Sequence, residues 1–423
     1  MAEKRKCDRM MSGKIKIWII AAFLTAAVSG CERYNPYQGQ QDKGTEEAET
    51  ENHQQEEESF EQKGDKTQKE KEEPVKDTGK EPLKEKTQVK VKGIYVSAYV
   101  AGTEEMMDSI IEQMEQTELN AVVIDVKDDN GRVTFQMDSP LVQEVGACAD
   151  YIPDIQKLVD KLKEHQFYLI ARIPAFRDPF LADKRQEWCC KLADGSVYRD
   201  KNHLAWVNPY RREVWDYLVE IGKKAGEAGF DEIQFDYIRF CTEKGMNEVV
   251  FEDSDTQGKS RQEIILEFAR YAYDQLAEEG LFVSADVFGA VIGGGEDAEA
   301  VGQDYAEMTA SLDYICPMIY PSHYGDGYFG IAHPDTQPYD TIFAALSASQ
   351  KDLSRLPETG KKAVVRPWLQ DFTASYLRHY IPYKDLQVSE QIQAVYDAGY
   401  EEWILWNASS NYHYQGVHAG NEQ

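Results

Sequence analysis

From residue 93 to residue 406, short β-branched apolar runs recur eight times, each separated from the next by a longer stretch of helical periodicity. The runs are Gly93-Ile-Tyr-Val-Ser97, Ala121-Val-Val-Ile-Asp-Val126, Tyr168-Leu-Ile-Ala-Arg-Ile173, Glu232-Ile-Gln-Phe-Asp236, Phe282-Val-Ser-Ala-Asp286, Tyr314-Ile-Cys-Pro-Met-Ile319, Ala363-Val-Val-Arg-Pro-Trp368 and Trp403-Ile-Leu-Trp406. Runs this short and this apolar suit strands covered on both faces, and their alternation with helices implies parallel βα units. Eight units close a (β/α)8 TIM barrel, which the sequence predicts over residues 89–415. Thr103 opens the first helix, and Gly229 and Gly399 close later ones just before a strand. A doubly wound open sheet would carry Gly-x-Gly-x-x-Gly after its first strand, whereas Gly293-Gly-Gly295 follows the fifth run here.

Ahead of the barrel, Lys4, Arg5, Lys6, Arg9, Lys14 and Lys16 precede the apolar run Ile17–Val28, which is short for a bilayer span. Val28-Ser29-Gly30-Cys31 then resembles the lipobox of bacterial lipoproteins, so residues 1–30 read as a signal peptide and Cys31 as the acylated residue. The competing readings, an ordinary cleaved signal and an uncleaved anchor helix, also export the domain. The expected location is the extracytoplasmic face of the cell membrane, held by lipid. Residues 31–88 are mostly Glu, Lys, Gln, Asp and Thr. Such a segment buries too little to offset the entropy of ordering, so it reads as a disordered charged tether. A flexible coil of this length spans about 40 Å.

The formal net charge is −29, with acidic residues in both tether and barrel. With no basic stripe to release counterions, nucleic acid is excluded as a partner, and neutral or cationic substrates fit better. Cys148, Cys189, Cys190, Cys241 and Cys316 are odd in number and lack ligand spacing, which argues against a disulfide framework and a zinc site. No cofactor or metal is expected.

Barrel enzymes carry their chemistry at the carboxyl ends of the strands. The polar and aromatic residues there are Asp125 with Lys127, Arg172, Asp236 with Arg239, Asp286, Tyr320 with His323, Trp368 with Gln370 and Asp371, and Trp406 with Asn407. Carboxylates ringed by aromatics are what glycoside cleavage needs, since one acid protonates the leaving oxygen while another faces an oxocarbenium-like centre. Asp236 and Asp286 are the predicted catalytic pair. The bland reading of Asp236 is a core salt bridge to Arg239 or Arg172, and that of Asp286 a helix cap. Asp125 and Asp371 compete for the proton-donor role. Trp368 and Trp406 are candidate sugar platforms, Trp206 and Asn208 a candidate subsite wall, and His323 and His333 belong to a Gly/Tyr/Pro-rich binding loop.

The phrases Val91-Lys-Gly-Ile-Tyr-Val-Ser, Asn120-Ala-Val-Val-Ile-Asp-Val-Lys-Asp-Asp, Ala171-Arg-Ile-Pro-Ala-Phe-Arg-Asp, Trp206-Val-Asn-Pro, Phe230-Asp-Glu-Ile-Gln-Phe-Asp-Tyr-Ile-Arg-Phe and Val283-Ser-Ala-Asp-Val-Phe-Gly together resemble the bacterial DUF4015 family of glycoside hydrolases, over about Lys92 to Asn407. The resemblance implies a barrel fold and a polysaccharide or oligosaccharide substrate. Asp236 and Asp286 fall in its two most recognisable motifs. Cys241 replaces the proline expected after Ile-Arg-Phe, which touches loop shape rather than the carboxylates. Two other functions compete: a barrel that binds glycans without cleaving them, and a metal-dependent carbohydrate esterase or deacetylase using Asp125, Asp286 and His323.

Overall fold

Each apolar run forms a strand: β1 (Lys92–Val96), β2 (Ala121–Asp125), β3 (Tyr168–Pro174), β4 (Glu232–Asp236), β5 (Phe282–Phe288), β6 (Tyr314–Met318), β7 in two pieces (Val364–Val365 and Trp368–Gln370) and β8 (Trp403–Trp406). This computed structural model describes residues 87–417, so the expected signal peptide, Cys31 and most of the tether lie outside the described residues. Each strand pairs in parallel with the next, and β8 returns to β1 with Lys92 opposite Trp403, closing the ring. Strands such as β2, Ala-Val-Val-Ile-Asp, are buried along their whole length because helices cover one face and the barrel interior the other.

Two strands depart from expectation. The run Ala363–Trp368 breaks at Arg366-Pro367, because proline has no N–H to give to a ladder, and β7 resumes to reach Gln370. β5 continues two residues past Asp286, to Phe288, so that aspartate stands inside the strand rather than at its end.

The principal outer helices are α1 (Glu104–Met114), α2 (Ile155–Glu164), α3 (Arg212–Ala228), α4 (Arg261–Ala277), α5 (Tyr305–Thr309), α6 (Pro338–Leu353) and α7 (Asp385–Asp397). Their ends follow local chemistry. Asp154 caps α2 by accepting from the Lys157 N–H, and Ser260 with Glu263 forms a reciprocal capping box on α4. Gly229 ends α3 at φ +110°, where a Cβ would also meet Val159 Cγ1 at 2.7 Å. Among the described residues no helix is long and apolar enough to cross a membrane.

The barrel's interior is not wholly apolar. Arg366, in the break of β7, donates from Nη1 to both carboxylate oxygens of Glu232 on β4, at 2.9 and 3.0 Å, and from Nε to Glu402 at 2.8 Å. β4 and β7 are not neighbours, so this contact crosses the interior. Ser284 and Tyr168 also donate to Glu232, and the Arg366 guanidinium lies 3.7 Å from the Tyr314 ring centre. Arg366 and Glu232 are fully buried, so each charge depends on its partners. Arg366→Leu strands two carboxylates in the interior and is expected to cost about 3–5 kcal/mol. Urea unfolding measures this directly, and a variant as stable as the parent would show that the ionic plug contributes nothing.

Candidate active site

Inward-facing residues of seven strands converge on the carboxyl-end mouth of the barrel: Tyr95 (β1), Asp125 (β2), Arg172 (β3), Asp236 (β4), Asp286 (β5), Trp368 (β7) and Trp406 (β8). Arg172 is the hub. Its Nη1 donates to Asp125 Oδ1 at 2.6 Å, its Nε and Nη2 to Asp236 Oδ2 at 3.0 and 2.5 Å, and Nη2 also to Asp129 Oδ1 at 2.9 Å. Arg177 reaches the other oxygen of Asp129 at 2.7 Å. Burial alone would raise the Asp129 carboxyl, but Arg177 and Arg172 outweigh it and hold Asp129 down to about 2. Asp125 moves the other way. Burial, helped by the charge of Asp129, pushes it up to about 6 against the pull of Arg172, while the Tyr95 hydroxyl donates to its Oδ2 at 2.5 Å.

Asp236 therefore forms a core salt bridge with Arg172, the bland alternative in the sequence, yet it does so at the mouth and beside a second acid. Its Oδ1 accepts the Tyr237 N–H at 2.5 Å, and Tyr237 holds a left-handed φ of +48°. A non-glycine residue in that region stores about 1–3 kcal/mol, a cost that surrounding contacts must hold. The contacts are visible: the Arg177 guanidinium lies 3.8 Å from the Tyr237 ring centre, with Trp206 edge-on at 6.0 Å.

Asp286 makes no ion pair with a lysine or arginine among the described residues. Its Oδ1 accepts the Trp368 indole N–H at 2.6 Å. Burial first, and the charge of Asp236 second, raise its carboxyl well above the usual range, while the Trp368 bond and Arg172 pull in the opposite direction. The carboxylate is engaged by this indole and not by a helix N-terminus, as the helix-cap alternative would have it. Trp368 is only 1% exposed, so it positions Asp286 rather than offering an open face. Trp406 is less buried and packs against Tyr95 at 4.2 Å between ring centres with the planes tilted by 31°, while Trp368 lies edge-on at 5.6 Å.

Other predicted residues are engaged elsewhere. Lys127 is fully buried in an ion pair with Asp178 at 2.9 Å and also donates to the Pro174 carbonyl, so it is a structural cation and not a ligand for sugar. Asp371, also fully buried, accepts from the His413 backbone N–H and pairs with its Nδ1, so it anchors the end of the domain. Asn208 bonds Asp255 and the Tyr210 N–H, and Trp206 donates to Asp200. Together they pin the long segment after β3. Arg239 lies over Trp206, Tyr237 and Phe288, beside the Asp236 cluster. Tyr320 and His323 pack edge-on at 4.9 Å, and burial lowers the His323 imidazole to about 4, keeping it neutral. Sequence reasoning missed Tyr95, Asp129, Arg177 and Tyr237. Asp129 and Arg177 had a signal, since both follow strand ends inside the quoted phrases.

Asp125, Asp286 and His323 do not form a convergent ligand set among the described residues, where the group that does is Asp326, His333 and His379.

Several solved structures are similar to this chain. A hypothetical protein from Ruminiclostridium thermocellum is 38% identical over 46% of this chain and 97% of its own, with a TM-score of 0.43. The glycoside hydrolase domain of PgaB (BpsB) from Bordetella bronchiseptica is 13% identical over 76% of this chain and 94% of its own, with a TM-score of 0.53. A β-galactosidase from the psychrophilic Marinomonas ef1 is 11% identical over 74% of this chain and 53% of its own, with a TM-score of 0.50. No curated protein sequence matches. The family pattern described as "Putative glycosyl hydrolase domain" matches residues 93–412, nearly all of the described barrel. With its closed parallel barrel and its mouth of carboxylates and aromatics, the chain belongs to the DUF4015 family.

Proposed function

We propose that this protein is a glycoside hydrolase in which Asp286 protonates the leaving oxygen and Asp236 faces the anomeric carbon. The observation that carries the reading is a pair of unlike carboxyls side by side: Asp236 bound to Arg172, and Asp286 bonded, among the described residues, to an indole N–H. Phe235 lies opposite Ala285 in the β4–β5 ladder, so the next position sets Asp236 abreast of Asp286. Neighbouring strands stand about 4.8 Å apart, which favours the short carboxyl separation, about 5–5.5 Å, of a retaining course. The Asp286 O–H proton passes to the glycosidic oxygen as the C–O bond breaks and an Asp236 oxygen bonds the anomeric carbon. Water then attacks that carbon, giving its proton to the Asp286 carboxylate and releasing Asp236. Trp406 and Tyr95 supply an aromatic wall for the sugar.

Export and lipid anchoring at Cys31 are part of the proposal and rest on the basic segment, the apolar run and the Val28-Ser-Gly-Cys motif. A tethered barrel at the outer membrane face fits a cell-surface or environmental polysaccharide.

The test is release of reducing ends from purified wall and exopolysaccharide glycans by the full-length chain. Asp236→Asn and Asp286→Asn are each expected to lose roughly two to four orders of magnitude of rate. Glycan binding without cleavage, unchanged in both variants, would replace the enzyme with a lectin-like barrel. Release of acyl groups from glycan esters with no new reducing ends, removed by chelators and restored by added metal, would favour the esterase.

Two pH effects follow from the raised Asp286 carboxyl. The reaction needs it protonated, so kcat/KM falls on the alkaline side as it ionises. Trp368 stabilises the charged form, so Trp368→Phe is expected to move that alkaline limb to higher pH; a limb that stays put or moves down contradicts the assignment. Stability follows the same sign. The native state holds this proton at pH values where the unfolded chain has released it, so stability declines as pH rises above the ordinary value of 3.8. Asp286→Asn removes the decline and should melt higher than the parent near neutral pH, with the gap closing on acidification. A lower Tm at neutral pH would mean the carboxylate is tolerated as a charge.

A further inference from the structure

The loops that leave β6 and β7 run side by side at the barrel mouth. At their base, Gln370 at the end of β7 donates from Nε2 to Asp335 Oδ1 at 3.0 Å and accepts the Ser322 N–H at 3.1 Å. The Tyr383 hydroxyl donates to the Asp335 carbonyl at 3.1 Å, which ties the second loop back to the first. Farther out, the same two loops meet again through different chemistry. Asp326 lies between two imidazoles, with Oδ1 at 3.0 Å from His333 Nδ1 and Oδ2 at 2.9 Å from His379 Nδ1. The ring centres stand 3.8 Å apart with their planes tilted by 36°, and one ligating atom from each of the three residues lies within 4.8 Å of the others.

We infer that Asp326, His333 and His379 form a binding site for a divalent transition-metal ion, zinc by preference, which clips the two loops together. Imidazole and carboxylate ligands bind zinc at about 2.0–2.2 Å, so ligand atoms around one ion stand about 3.3–3.5 Å apart. The two oxygen–nitrogen gaps already approach that spacing, and a cation replacing the shared protons draws in the second nitrogen by a side-chain rotation. Two imidazoles select against magnesium and calcium, which take oxygen ligands. Each side chain is partly open to solvent, so water fills the remaining positions. The ligands lie 7 and 53 residues from Asp326, so no local motif announces them.

The clip has a structural consequence. Gln370, which stitches the base of the loops, stands two residues beyond Trp368, the indole bonded to Asp286. A cross-link at the outer end therefore stiffens the wall that rises from this strand. No chemical step passes through the ion, and the inference does not depend on the proposed glycosidase activity.

The experiment is metal titration of the full-length chain after chelator treatment and dialysis. Zinc is followed by calorimetry and cobalt by its visible absorption. One equivalent is expected, with affinity at least tenfold weaker in Asp326→Ala, His333→Ala and His379→Ala. His165→Ala serves as the control, because His165 pairs with Glu115 without a second imidazole, and it should bind as the parent does. Zinc should raise the parent's Tm and leave the triple variant's unchanged. If an alanine variant fails to fold, His379→Gln replaces it, since it keeps polarity and removes the imidazole ligand. Absence of saturable binding by the parent, or full binding by the triple variant, overturns the assignment.

Discussion

The Arg172 guanidinium is the constraint on which the mouth of this barrel depends. A charge this buried, with the side chain 3% exposed, is tolerated only if anions meet it on every side. Asp125, Asp129 and Asp236 do so from β2, the loop behind it and β4. The same requirement sets the character of each acid. Asp236 and Asp129 face arginines, Asp125 shares its arginine with a phenol, and Asp286 is left to an indole. One cation thus divides a group of similar carboxyls into unlike members, and unlike members are what acid–base chemistry at a single centre requires.

The opposite end of the barrel solves a related problem for a structural purpose. Arg366, Glu232 and Glu402 bring two carboxylates to one guanidinium, with a serine and a tyrosine hydroxyl filling the remaining acceptor positions on Glu232. No unlike pair results. The interior of this barrel therefore holds two charged layers separated by apolar residues such as Val123 and Ile170. Geometry and solvent access, rather than the presence of charge, distinguish the layer suited to chemistry from the layer that fills space.

Much of the architecture was legible because it rests on period and sign: apolar β-branched runs, amphipathic intervals and glycine stops all act locally. Asp125, Arg172, Asp236, Asp286, Trp368 and Trp406 were found by position along a strand, since alternate residues there share one face. The same rule could not say whom a polar residue meets. Lys127 and Asp371 occupy comparable positions, but Asp178 and His413 claim them from distant parts of the chain. Tyr95 lies within its run and does not end it, so position along the strand gave no sign that its hydroxyl meets Asp125. Arg177 and Tyr237 take their places through loop backbone, where no period applies. Pro367 was visible in the sequence, but a parallel strand able to resume on its far side was not.

That broken strand gives the hoop a jointed stave. Val364–Val365 is claimed by β6, whereas Trp368–Gln370 runs along β8 and touches β6 only where Trp368 faces Met318. A continuous ladder shares load among its rungs; here the rungs on one side are interrupted just below the indole that holds Asp286. With fewer rungs to break, local opening of the cylinder costs least at such a joint. The acidity of one carboxyl is thereby tied to how tightly the staves close, and changes in packing far around the ring can reach Asp286 without touching the mouth.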